Sequence, residues 1–285
     1  MRHAVAKSTS KSTCKPAPTF AANRAVGRIA LAVAASAGAT RRARLREEGS
    51  LRVRCPGPPA AELEAVIVNT AGGVAGGDRL GLDFTVGPGA RLVVTTAAAE
   101  KVYRTLEPPA TIGVTLTVAA GAALAWLPQE TILFDQARLT RSIDVDLAED
   151  ARLLLAEAIV FGRAGMGEAV EDSALFDRWH LRVGGRLVHA EAMRLDGAVA
   201  AKLGQRAVAA GGIAVATVLV APADEGTAAS VRALADRVRG EVGVSAWNGF
   251  AVARLCAADG AALRHDLVAV LTALRGAPLP RLWLN

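Results

Sequence analysis

FTVGPGARL, residues 84–92, decides how this chain is built, because it returns twice. LTVAAGAAL (116–124) and VDLAEDARL (145–153) repeat its pattern at steps of 32 and 29 residues. Apolar side chains align at Phe84, Leu116 and Val145, and again at Val86, Val118 and Leu147. Beyond a short turn, alanines align at Ala90, Ala122 and Ala151, and leucines at Leu92, Leu124 and Leu153. The two-residue alternation on both arms is that of β-strands, so each unit reads as strand, four-residue turn, strand. One such unit cannot bury its own apolar face. Three in series predict a mainly β, layered, β-helical (solenoid-like) body of stacked hairpins.

A further hairpin follows in FDRWHLRVGGRLVHAEAM (176–193), where Gly184-Gly185 is a two-residue turn signal. An unbroken register from that turn sets Arg178 opposite Glu191 and His180 opposite His189. IALAVAASAGA (29–39) alternates like a first strand, and its distance from the start argues against a signal-peptide core. Helical spacing comes late. TAASVRALADRVR (227–239) and residues 261–275 each place apolar residues on one face, which predicts two C-terminal α-helices. The expected layout is a disordered basic tail over 1–23 and one β-rich domain over 24–285.

Charge and composition narrow the function. Residues 1–54 hold 12 Lys/Arg against 2 acids, whereas the rest holds 21 against 25. The basic excess is therefore N-terminal, and with aromatics at 4% the body lacks the basic, aromatic-rich surface of a nucleic-acid binder. No apolar run approaches membrane-spanning length. Cys14, Cys55 and Cys256 are odd in number and lack paired spacing, which fits a reduced, cytoplasmic protein.

VNTAGGVAGGDRL (68–80) tests for phosphate binding, since Gly-rich loops after strands often cradle phosphates. Gly72 and Gly77 have the separation of a Walker-type loop, but Asp78 and Arg79 replace the Lys and Ser/Thr that the chemistry needs. Nor does a dinucleotide fingerprint fit, because strands and not a helix follow. The glycines read as a turn. No nucleophile elbow, zinc helix or activated cysteine is present in the sequence. The polar residues that stand out lie at strand ends: Asp78, Lys101, Arg104, Gln129, Glu130, Glu157, Arg163 and Glu168. One reading makes Asp78, Glu130 and Glu157 a carboxylate acid/base site of a β-rich enzyme.

The other reading comes from a resemblance. AGGVAGGDRLGLDFTVGPGARLVVTTAAAEKVYR, LAWLPQETILFDQARL, AEAIVFGRAGMGE and the C-terminal PRLW are similar to the urease accessory protein D family, UreD, called UreH in some bacteria. Ala97 departs from the family's common proline after the two threonines. The resemblance implies a non-enzymatic maturation scaffold with a mainly β fold. It would bind apo-urease and, with UreF and the GTPase UreG, help deliver nickel to the dinuclear centre, with no tightly bound cofactor and only transient nickel. The Gly turn would then present Asp78. Asp78, Glu130 and Glu168 are expected as stepping points along a nickel path that also includes Gln129 and Glu157. Lys101, Arg104 and Arg163 would balance charge. Weak, few ligands suit a metal in transit. His180, His189 and Glu191, if the hairpin register holds, would form a further labile metal site beyond the family pattern.

Overall fold

A computed structural model describes residues 24–105 and 108–284, and the expected tail 1–23 lies outside the described residues. Strands β1 (Val26–Ser36) and β2 (Ala39–Glu48) pair antiparallel, as do β3 (Leu51–Arg54) and β4 (Leu63–Asn69). The first repeated unit supplies β5 (Arg79–Val86) and β6 (Arg91–Thr96), followed by the short β7 (Glu100–Val102). The second supplies β8 (Ala110–Val118) and β9 (Ala123–Trp126), with β10 (Thr131–Leu133) behind it, and the third β11 (Arg138–Leu147) and β12 (Arg152–Phe161). After the hairpin β13 (Ser173–Val183) and β14 (Arg186–Gly197) come α1 (Val199–Leu203), β15 (Ala214–Ala221) and α2 (Glu225–Arg232). The chain closes with β16 (Glu241–Trp247), β17 (Phe250–Ala257) and α3 (Gly260–Arg275).

The repeated units are not hairpins. Their first arms, β5, β8 and β11, lie in a seven-stranded sheet of order β14-β13-β11-β8-β5-β1-β2. Their second arms, β6, β9 and β12, lie in the other sheet, β16-β17-β15-β12-β9-β6-β4-β3. Each four-residue turn is a corner that carries the chain from one sheet to the other. It closes on itself in the same way each time: the N–H groups of Ala90, Ala122 and Ala151 donate to the carbonyls of Gly87, Ala119 and Ala148, each at 3.1 Å. The arms then hydrogen-bond to their equivalents in the next unit, and the result is a β-solenoid-like stack of about four turns.

The aligned residues are physical neighbours. Phe84 sits in register with Leu116 and Leu116 with Val145; Leu92 sits with Leu124 and Leu124 with Leu153. These columns face inward and fill the space between the sheets, with Phe84 edge-on to Trp126 at 5.4 Å. The corner alanines are fully covered, which leaves no room for a larger side chain.

The two outer faces differ. On the second sheet, Leu263, Leu267, Val270 and Leu271 of α3 pack against Ala156, Ala158, Ala216 and Val218. The first helix is shorter than the expected 227–239: α2 starts at the N-cap Asp224, whose carboxylate accepts from Thr227 N–H at 2.9 Å, and ends at Arg232 before a 3₁₀ turn over Ala235–Arg237. The second matches its expected span, capped by Asp259 and stopped by Gly276 at φ +64°. The first sheet keeps its outer face open, with Thr85, Thr115, Thr117 and Asp146 exposed, and ends at β2, whose Arg41, Arg42, Arg44 and Arg46 are exposed.

Candidate functional site

Most inward positions of the stack are apolar, and a charged cluster on β11, β12 and β13 interrupts them. Leu80 and Ile112 are register neighbours, and the next residue in that column is Arg141. Its own partner on β13 is Asp177, and Glu157 reaches it from β12 in the opposite sheet. All three are buried. Arg141 Nε and Nη2 donate to Asp177 Oδ1 and Oδ2 at 3.0 and 2.5 Å, a bidentate pair, while Nη1 donates to Glu157 Oε2. Trp126 Nε1 donates to Glu157 Oε1 at 2.8 Å.

Burial raises the Glu157 carboxyl above its ordinary range, and Arg141 and the Trp126 bond partly offset this. Burial works against the Arg141 charge, yet Asp177 and Glu157 together raise its pKa above the ordinary value. The triad faces a cavity of about 780 Å³ between the sheets, which continues past Thr217 to Glu191, Arg254 and Cys256. Two carboxylates around one guanidinium carry a net negative charge when ionised, which suits a cation more than an anion.

The other expected site residues are dispersed. Asp78 is buried, and its Oδ1 and Oδ2 accept the N–H groups of Ala25 and Ala75, each at 2.8 Å. It ties the start of β1 to the Gly turn. The expectation that the turn presents this carboxylate to a ligand is therefore corrected: packing needs it. The glycines serve close approach, since a Cβ on Gly76 would lie 1.4 Å from Thr105 Oγ1, and one on Gly73, at φ +151°, would meet the Tyr103 ring at 2.3 Å.

Gln129 and Glu130 point to the helical side of the second sheet. Arg264 of α3 donates to Gln129 Oε1 at 2.7 Å and to Glu130 Oε1 at 2.8 Å, and stacks over Trp283, whose Nε1 donates to Leu127 O at 3.0 Å. This joins the WLPQE and PRLW segments. Arg163 and Glu168 form a pair at 2.8 Å, with the guanidinium over Phe134; Lys101 and Arg104 are exposed. Asp78, Glu130 and Glu157 thus sit in three separate environments and do not form the shared acid/base cleft of the enzyme reading.

The histidine pair is also corrected. Gly184 and Gly185 do form the two-residue turn, but a bulge between Leu181 and Arg182 shifts the register by one. His180 then opposes Ala190, Leu181 opposes His189, Trp179 opposes Glu191 and Arg178 opposes Ala192. One slipped residue turns every side chain to the other face. His180 lies outward beside Asp144, at 3.1 Å, whereas His189 packs on Phe250 and Trp247, with Glu191 at 3.3 Å and Arg254 beyond it. Among the described residues, no group of three His, Cys, Asp or Glu is placed to hold a metal ion.

The sequence reading missed Arg141, Asp177 and Trp126. The signal for Arg141 lay in the repeat itself, where its column otherwise holds Leu80 and Ile112.

The chain is similar in sequence to known proteins. Residues 25–284 match the family described as UreD urease accessory protein. The chain is 58% identical over 269 residues to a urease accessory protein UreD of Rhodopseudomonas palustris strain BisB18, covering 94% of this chain and 97% of that protein. It is 56% identical over 266 residues to the urease accessory protein UreD of Bradyrhizobium diazoefficiens, covering 93% and 96%. A urease accessory protein UreD 1 of Bradyrhizobium sp. strain ORS 278 is 51% identical over 269 residues, covering 94% and 97%.

Proposed function

The chain belongs to the UreD family of urease accessory proteins, and from that premise we propose that it is a non-enzymatic scaffold for urease maturation in the cytoplasm. In this reading it binds apo-urease and, with UreF and the GTPase UreG, helps to deliver nickel as cargo to the dinuclear active site.

The observation that carries the reading is the Arg141–Glu157–Asp177 triad beside the cavity between the sheets. A cation in transit needs oxygen donors that release it again. Glu157 and Asp177 are such donors, because Arg141 already compensates them and retakes its place once the cation has left. We therefore put the interior step at Glu157. Asp78, Glu130 and Glu168 are engaged by backbone amides, by Arg264 and by Arg163, and we assign them, with Gln129, Lys101, Arg104 and Arg163, to the walls and charge balance of the route.

The test is activation of urease co-expressed with its accessory proteins. Deleting this chain leaves urease folded but poor in nickel and inactive; normal nickel content in the deletion strain rejects the role. Glu157→Gln lowers urease nickel content while the variant still co-purifies with urease. Full nickel loading by that variant rejects the interior step and leaves the scaffold role standing.

A further inference from the structure

Arg275 ends α3 under conditions unusual for a surface helix. Its side chain is 4% exposed, Nη2 contacts Glu62, and Nε and Nη1 have no hydrogen-bond acceptor among the described residues. A buried guanidinium with two unmatched donors is costly unless something else compensates it. Beneath it lies one row of the second sheet, in which Arg91, Ala123 and Arg152 are register neighbours on β6, β9 and β12. The small Ala123 leaves a gap between two arginines about 10 Å apart at strand spacing. These residues and Glu62 line a cavity of about 400 Å³ between the end of α3 and the sheet. Three arginines there outweigh Glu62. Glu64, the next outward position on β4, feels the Arg275 charge but does not line the cavity, and the balance stays positive with it included.

We propose that this cavity is an oxyanion site, separate from the Glu157 region, that takes a small phosphate or carboxylate ligand. Arginine forks match the paired oxygens of both groups. Arg91 and Arg152 are exposed and form the entrance, while Arg275 is the buried anchor. Leu153 and Leu154 in the wall confine the ligand to something small.

Calorimetric titration of the purified full chain with inorganic phosphate, and separately with succinate, at constant ionic strength against a chloride control, tests this. The expected result is saturable one-to-one binding of at least one of the two. Affinity falls tenfold or more in Arg275→Met and in Arg91→Gln/Arg152→Gln, and ligand raises the melting temperature of the unsubstituted chain only. Preference for phosphate identifies a phosphoryl ligand; preference for succinate identifies a carboxylate. The double variant changes only exposed positions, so it carries the test if Arg275→Met fails to fold. Absence of saturable binding, or equal affinity in the variants, overturns the proposal.

Discussion

Trp126 donates its indole N–H to Glu157 at 2.8 Å from the neighbouring strand, so both oxygens of that carboxyl are held, one by the indole and one by Arg141. The protonation of an acid buried in this way is coupled to folding.

Glu157→Gln isolates that coupling. Burial raises the folded-state pKa above the ordinary 4.5. Stability from this group is therefore fully present below the unfolded-state value and declines as pH rises through the folded value. The glutamine keeps an acceptor for Trp126 but cannot ionise. Urea unfolding between about pH 4 and 8 shows a flatter stability profile for the variant; an unchanged slope refutes the coupling.

Arg141→Met strands Glu157 and Asp177 together in the core and costs about 3–5 kcal/mol. Replacing all three by Arg141→Met, Glu157→Leu and Asp177→Leu restores most of that, because an apolar column then runs unbroken beside Ile112. Equilibrium unfolding of the two variants compares them directly. A triple variant no more stable than the single one argues against this account.

Asp78→Ala removes the acceptor of two part-buried amides, those of Ala25 and Ala75, and lowers stability by about 2–4 kcal/mol. Asp78→Asn keeps one good acceptor and loses about half as much. If Asp78→Ala unfolds at the same denaturant midpoint as the unsubstituted chain, the carboxylate is not structural.

Arg264→Ala leaves Gln129 and Glu130 buried without their cation, at a cost of about 2–3 kcal/mol. The C-terminal PRLW segment loses the Arg264 hydrogen bond to Leu282 O and the guanidinium over Trp283, so amide exchange quickens at Trp283 and Leu284 while β8 stays protected. Equal exchange at those amides contradicts the link.

The stack was legible because each unit spells the same alternation, and the columns drawn from sequence, such as Phe84–Leu116–Val145, are the ones in contact. What sequence did not disclose was that the arms belong to different sheets. A four-residue turn between strands can close a hairpin or turn a corner, and only pairing between distant units decides. The Gly184-Gly185 turn was legible too, but the bulge that follows was not, since no glycine or other marker stands at Val188. Asp78 was recognisable in its motif and misjudged in its role, because one of the two amides that need it, that of Ala25, lies 53 residues away and outside any local pattern.

Parallel rungs have no inherent last member, because the free edge of one is a template for the next. Here the seven-stranded sheet stops at an antiparallel strand, β2, whose outer edge bristles with Arg41, Arg42, Arg44 and Arg46. Exposed charge on a terminal strand disfavours edge-on pairing with another chain. Trimming β1 and β2 would bare the edge of β5 and turn a finite stack into the seed of a fibre.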